Sequence, residues 1–216
     1  MLALQGDFAL HARALARCGA ESVEVRKPEQ LADVDGLVIP GGESTTLLHL
    51  LRTWEFVPAL ERFHAEGRPV FGTCAGLILL AREVTSPAQS SLGLIDLAVE
   101  RNAYGRQRES FEARGEAVLA GRRVPVEMVF IRAPRIRRVG PGVEVLARRD
   151  DEPVMARQGS VLVATFHPEL TADATVHAHF CEMVRRARER RATAGRPGGA
   201  GHERTELDPA ARGGAA

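Results

Sequence analysis

Pro69-Val70-Phe71-Gly72-Thr73-Cys74-Ala75-Gly76-Leu77-Ile78-Leu79-Leu80 decides the reading of this chain. A short apolar strand runs into Gly-Thr-Cys-Ala-Gly and leaves as an apolar run compatible with a helix. Small residues on both sides of a reactive side chain are what a sharp strand-to-helix turn requires, because glycine tolerates strained dihedrals and close backbone approach. Cys74 is then expected at the tip of the turn and at a helix N-terminus, whose dipole favours thiolate over thiol. The arrangement is the cysteine counterpart of a G-x-S-x-G nucleophile elbow. A buried structural cysteine in a tight turn would produce the same five residues.

Outward from this turn, strands and helices alternate. Met1–Gln5 reads as a short apolar strand ending in Gln5-Gly6-Asp7, and Phe8–Cys18 as an amphipathic helix that Asp7 could cap and Gly19 could end. Glu21–Arg26 alternates as a strand. Gly36-Leu37-Val38-Ile39-Pro40 is a buried strand that stops at Gly41-Gly42-Glu43-Ser44-Thr45-Thr46, and a helix through Leu47–Leu51 follows. Another helix is expected from about Glu55 to near Gly67. This alternation predicts an α/β fold with a mainly parallel central sheet, in which ligands bind beyond the carboxyl ends of the strands. Gln5-Gly6, Gly41–Ser44 and Gly72–Gly76 converge at that edge.

From Leu92 to Val163 the pattern turns to short strands: Ile95–Val99, Arg114–Leu119, Val124–Ile131, Val143–Ala147, Val154–Arg157 and Ser160–Ala164. They are expected to extend the sheet in antiparallel fashion without making a second domain. A helix is predicted from about Ala172 to Arg190, with Val176, Phe180, Met183, Val184 and Ala187 on one face. Residues 191–216 are poor in large aliphatics and are expected to form a disordered tail after a domain spanning 1–190.

Composition excludes several classes. The 216 residues carry a net charge of +1, with 44% apolar and 26% charged residues, which is ordinary for a soluble globular domain and gives no overall drive toward nucleic acid or anionic membrane. Three cysteines, Cys18, Cys74 and Cys181, make neither a disulfide framework nor a zinc pattern, which suits a reducing cytoplasm. No signal peptide or membrane span is expected. No metal and no cofactor is expected. His177 and His179, two apart on a helix, point to different faces and make no metal pair.

His167 and Glu169 end the last strand at the same edge as Cys74. An imidazole beside a thiol supplies a base, and a carboxylate on its other nitrogen fixes the tautomer. A lone His-Pro-Glu is more often a surface turn; beside Gly-Thr-Cys-Ala-Gly it becomes the other part of a triad.

With these motifs assembled, the chain resembles the class I, triad-type glutamine amidotransferases, a three-layer flavodoxin-like fold. It is most similar to the glutaminase subunits of pyridoxal 5′-phosphate synthases. The resemblance is carried by Leu4-Gln5-Gly6-Asp7, Leu37 to Thr46, Gly72 to Gly76, Arg101 to Gln107 with Ser110-Phe111-Glu112, Phe130-Ile131-Arg132-Ala133-Pro134 and Phe166-His167-Pro168-Glu169. It implies hydrolysis of L-glutamine to glutamate and ammonia through a γ-glutamyl thioester. Cys74 is then the nucleophile, His167 the proton carrier and Glu169 its orienter. The backbone N–H groups of Gly42 and Ala75 form the oxyanion hole. Glutamine lies against Gly42, Glu43, Ser44, Arg101, Ile131 and Arg132, where an arginine suits its carboxylate and Glu43 its ammonium group. The implied partner is a (β/α)8-barrel synthase subunit that receives the ammonia and whose docking completes the oxyanion hole. Gln5 could help couple the two subunits. Two other readings remain open at this point: the glutaminase of another pathway, such as the histidine branch, and a non-catalytic regulatory subunit on the same fold. Without the resemblance, Arg101, Arg106 and Arg108 read as a solvated charge run, as do Arg132, Arg135, Arg137 and Arg138. Two departures from the family stand out, a short first strand and the tail after Arg191.

Overall fold

The computed structural model describes residues 1–101 and 110–194. In chain order its helices are α1 (Phe8–Arg17), α2 (Ser44–Thr53), α3 (Phe56–Ala65), α4 (Ala75–Leu80) and α5 (Thr175–Ala194). The strands are β1 (Leu37–Ile39), β2 (Val70–Thr73), β3 (Ala81–Thr85), β4 (Ile95–Glu100), β5 (Ser110–Leu119), β6 (Arg122–Ile131), β7 (Arg135–Val139), β8 (Glu144–Arg149), β9 (Glu152–Gln158) and β10 (Val161–Ala164). Among the described residues, seven strands form one sheet in the order β1-β2-β10-β9-β8-β5-β6.

β1, β2 and β10 run parallel, with Ile39 beside Gly72 and Ala164 beside Thr73, so three strand ends reach the same edge in register. From β9 outward the pairing is antiparallel, the expected extension. The parallel strands are buried on both faces, which explains their unbroken apolar sequence. Leu37 and Ile39 of β1, Val70 of β2 and Val161 and Val163 of β10 face the core under α2, α3 and α4. Val38, Phe71, Leu162 and Ala164 face the other core, which α5 covers with Val176, Phe180 and Met183.

Four details differ from the sequence reading. Met1–Gln5 and Glu21–Arg26 do not form full strands: Leu2 and Val25 make one parallel bridge. The opening segment is nevertheless held beside the sheet, because Leu2 N–H donates to Val38 O at 2.9 Å and Ala3 N–H to Val25 O at 2.9 Å. The apolar run after Cys74 stays helical for only six residues and passes directly into β3. β3, β4 and β7 then make a separate three-stranded sheet in place of a single continuous extension. It packs Val84, Leu97, Val99 and Ile136 onto the first core. Finally, α5 begins at Thr175 and continues to Ala194. Arg191, expected in the tail, donates to Asp35 Oδ1 at 2.5 Å, and residues 195–216 lie outside the described residues.

The arginines of β7 are not a free charge run either. Arg138 pairs with Asp96 at 3.0 Å, Arg137 with Glu100 at 2.5 Å and Arg135 with Glu152 at 3.4 Å, tying β7 to β4 and β9. No described helix is long and apolar enough to cross a membrane.

Candidate active site

The carboxyl ends of β1 and β2 deliver the loops Gly41–Ser44 and Gly72–Gly76, β10 delivers His167 and Glu169, and Gln5-Gly6 reaches the same edge from the opening segment. β2 ends at Thr73, and Cys74 takes φ +48° and ψ −102° before α4 starts at Ala75. Positive φ in a residue with a Cβ is strained and persists only where the surroundings enforce it. Here the Cys74 N–H is fixed by Ala164 O at 2.9 Å. The turn also requires close packing: a Cβ on Gly76 would overlap Ile39 O of β1, and one on Gly72 would meet the Gly76 carbonyl at 2.8 Å. The glycines therefore let three backbone segments converge beneath the cysteine.

β10 leads through Thr165 and Phe166 to His167, whose N–H donates to Val129 O of β6 at 2.8 Å. His167 Nδ1 and Glu169 Oε1 are 2.7 Å apart, and both residues are almost fully buried. Pro168 begins the short 3-10 turn Pro168–Leu170 that brings the carboxylate back under the ring. Burial alone lowers an imidazole pKa, but hydrogen bonding and charge from Cys74 and Glu169 outweigh it and hold His167 above its ordinary value. Burial likewise opposes ionisation of Glu169, and the neighbouring histidines His11 and His167 overcome it, leaving its pKa well below the carboxylate range. An imidazolium held between Glu169 and Cys74 stabilises negative charge on the sulfur. The backbone of Gly41 lies against the His167 ring, and a Cβ there would overlap it.

The remaining sequence candidates fall on or beside the segments that follow β1, β2, β4 and β6. Ala75 is buried at the first position of α4. Gly42, at φ +152°, packs under the Gln5 side chain, whose Oε1 accepts the Glu43 N–H at 3.1 Å. Glu43 caps α2: its carboxylate takes the Thr45 N–H at 3.0 Å and the Thr46 N–H at 2.6 Å. Desolvation raises its pKa, but these two backbone bonds prevail and bring it down to about 2. Arg101 donates to Thr45 Oγ1 at 2.9 Å and lies 3.4 Å from Glu43, so it joins the same loop. Ser44 is buried and bonds Gln89 at 3.0 Å. Ile131 ends β6, two residues past the carbonyl that binds His167 N–H, and Arg132 follows at φ +42°. Asn102–Gln107, including Arg106, and Arg108 lie outside the described residues.

Two buried residues were not anticipated as part of the site. His11 of α1 and His177 of α5 are both fully buried behind Glu169, with Nδ1 of His11 2.9 Å from Nε2 of His177. His11 Nε2 lies 3.2 Å from Glu169 Oε2 and 3.1 Å from Thr73 Oγ1. The available signal was that His11 falls on the buried face of an amphipathic helix with Ala14 and Leu15. No group of three or more His, Cys, Asp or Glu that could hold a metal ion is found among the described residues.

Comparison with known proteins agrees with this geometry. Residues 1–186 match the SNO glutamine amidotransferase family. A protein of Koribacter versatilis (strain Ellin345), "Pyridoxal 5'-phosphate synthase subunit PdxT", is 58% identical over 86% of this chain and 94% of its own length. A protein of the same name from Pelotomaculum thermopropionicum is 57% identical over 87% of this chain and 95% of its own. A solved structure described as a glutamine amidotransferase superposes with a TM-score of 0.78 at 50% identity, covering 85% of this chain and 96% of that one. A GMP synthase subunit of Thermoplasma acidophilum, described as putative and 14% identical, shares the fold with a TM-score of 0.61. Since the match takes in every strand of both sheets and the turn that carries Cys74, the chain belongs to the SNO glutamine amidotransferase family.

Proposed function

We propose that this protein is the glutaminase subunit of a pyridoxal 5′-phosphate synthase, hydrolysing L-glutamine and passing the ammonia to a synthase subunit. The observation that carries the reading is the buried His167–Glu169 pair beside a cysteine held at positive φ. Such a pair serves nucleophilic attack on an unactivated amide. The names of the relatives at 57–58% identity supply the pathway.

In this reading the Cys74 thiolate attacks the side-chain carbonyl carbon of glutamine. The oxyanion is received by the N–H groups of Gly42 and Ala75. His167 gives its proton to the departing nitrogen, so the C–N bond breaks, ammonia leaves and a γ-glutamyl thioester forms. His167 then takes a proton from water, which attacks the thioester and releases glutamate and the thiolate. Glu169 keeps His167 in the tautomer that presents Nε2 to the reaction. Arg101 and Arg132 bind the substrate carboxylate, and Glu43, Ser44 and Ile131 complete the substrate's surroundings. The catalytic domain extends to the end of α5 at Ala194, past the boundary at 190 expected from the sequence. The protein works in the cytoplasm beside a (β/α)8-barrel synthase, because ammonia is mostly protonated at neutral pH and is useful only if handed over directly. It binds neither nucleic acid nor membrane.

The test uses the intact protein with its cognate synthase, following glutamate release and pyridoxal 5′-phosphate formation. Cys74→Ala is expected to abolish synthesis from glutamine and to leave synthesis from ammonium salts intact. Unchanged use of glutamine by this variant refutes the nucleophile assignment. No glutamate from the wild-type pair refutes the glutaminase reading.

A further inference from the structure

The carboxylate of Glu169 has two oxygens, and the triad uses one. Oε1 bonds His167, while Oε2 is buried and has no aligned hydrogen bond among the described residues. Its close polar neighbour is His11 Nε2 at 3.2 Å, and both side chains are fully buried. A buried carboxylate oxygen facing nothing that can donate is costly. The ring nitrogen 3.2 Å away is the group that can meet it.

Counting protons fixes the arrangement. An ionised carboxylate only accepts, so His11 Nε2 must carry a hydrogen, shared between Glu169 Oε2 and Thr73 Oγ1 at 3.1 Å. With a single ring hydrogen on His11, Nδ1 is an acceptor, and the hydrogen in the 2.9 Å contact with His177 belongs to His177 Nε2. Nδ1 of His177 is left bare. That atom is buried and has no partner among the described residues, where a bare acceptor is tolerated better than an orphaned N–H. The opposite tautomers would bury an unpaired N–H at this point and turn a lone pair toward the carboxylate.

We propose that His11 is a positioning residue that holds the outer oxygen of Glu169, and that His177 fixes the tautomer in which it can do so. The inference rests on the glutaminase reading and extends the polar chain to Cys74–His167–Glu169–His11–His177, from the elbow through to α1 and α5. Helix α1 therefore contributes to the chemistry although it lies behind the sheet edge. Burial pushes the His177 imidazole down to about 3 and so holds it neutral, with Glu169, Arg17 and Asp173 as its charged neighbours. It acts as a fixed donor throughout the working range.

The test compares wild type, His11→Met and His11→Gln in complex with the synthase, reading kcat, KM for glutamine and the acid limb of kcat/KM. Met fills the space without a donor, whereas Gln can place an amide N–H near the position of Nε2. Expected for His11→Met is a fall in kcat of roughly 10- to 100-fold, with KM changed less than about threefold. The acid limb should move to higher pH, since a donor that favours ionised Glu169 has gone. His11→Gln should recover most of the loss. Wild-type kcat and acid limb in His11→Met overturn the proposal, as does a Gln variant no better than Met, which would mean packing alone. Should His11→Met fail to fold, His177→Leu carries the test, with a smaller shift of the limb in the same direction expected and an unmoved limb refuting it. An active wild-type complex with unmoved variants removes only this proposal, whereas an inactive wild-type complex removes the glutaminase reading with it.

Discussion

Replacing Glu169 with Gln keeps the shape of the side chain and removes its charge. Glu169 Oε1 lies 2.7 Å from His167 Nδ1 in a buried setting, and a charge-assisted bond of this kind contributes about 1.5–3 kcal/mol. If it acts mainly on the charged imidazolium of the transition state, its loss alone slows the reaction by about 10- to 150-fold, at about 1.4 kcal/mol per tenfold. The amide adds a tautomer conflict. With its oxygen toward His167, its NH2 group meets the His11 Nε2–H, donor against donor, at 3.2 Å. With its NH2 toward His167, Nδ1 must accept, Nε2 carries the proton, and the ring cannot act as a base toward Cys74. Either orientation deepens the loss, and the expected fall in kcat is about 10²- to 10⁴-fold, the range of a lost general base. The assay is glutamate release by the complex, together with the rate of Cys74 alkylation by iodoacetamide against pH. The variant should alkylate more slowly at neutral pH. A kcat within threefold of wild type, in a protein with unchanged melting, would refute the argument that the carboxylate works through His167.

Other perturbations read different parts of the structure. Gly41→Ala puts a methyl group into the His167 ring; kcat should fall at least about tenfold while the melting temperature moves by only a few degrees. Asp173→Ala removes the acceptor of the Thr175 N–H at 2.8 Å and of the Glu127 N–H at 3.0 Å. It should cost about 1–2 kcal/mol by denaturant unfolding, with the kcat of the folded protein nearly unchanged. Folded-state pKa values of Glu169, Glu43 and Asp173 lie below their unfolded values. Their contribution is full above the unfolded carboxylate range and is lost progressively as pH falls below it toward the lower folded values. His167 has the opposite sign, raised in the folded state, so its contribution is full below an unfolded pKa near 6.5 and declines as pH rises toward the folded value. Unfolding between pH 3 and 9 should therefore show losses at both ends. An acid limb without loss contradicts the carboxylate assignments.

Much of the frame was legible because parallel strands announce themselves. Leu37-Val38-Ile39 and Val161 to Ala164 are apolar at consecutive positions, a pattern that burial on both faces explains. The small separate sheet was harder to see. Ala81 follows Leu80 with no glycine or proline between, so local sequence gives no reason for the helix to stop. It is β4, paired with β3 in parallel, that draws the chain into extended form. β7 was obscured by its arginines, which look solvated until Asp96, Glu100 and Glu152 are found opposite them. Cys74, His167 and Glu169 could be named because glycines and a proline punctuate them. His11 carries no such mark. Its meaning depends on Glu169 and His177, 158 and 166 positions away, and spacing within one helix contains no trace of that.

The site divides into a fixed half and a polar, more exposed half. Cys74, His167 and Glu169 are buried at the ends of strands whose register is set on both sides, which suits groups that must meet within a few tenths of an ångström. Glu43 lies instead at the start of α2, in a loop braced by Gln5, and the Arg101 guanidinium reaches it from the end of β4. Glu43 already accepts two backbone N–H groups, yet a carboxylate offers about four lone-pair sites. It can therefore keep the cap and still accept from a substrate ammonium. This double use gives a separable expectation. Glu43→Gln retains an acceptor for the cap but loses the charge, so it should raise KM for glutamine by about tenfold or more while kcat changes little, because the ammonium group is remote from the bond that breaks. A fall in kcat with KM unchanged would instead place Glu43 with the reacting groups and remove it from substrate binding.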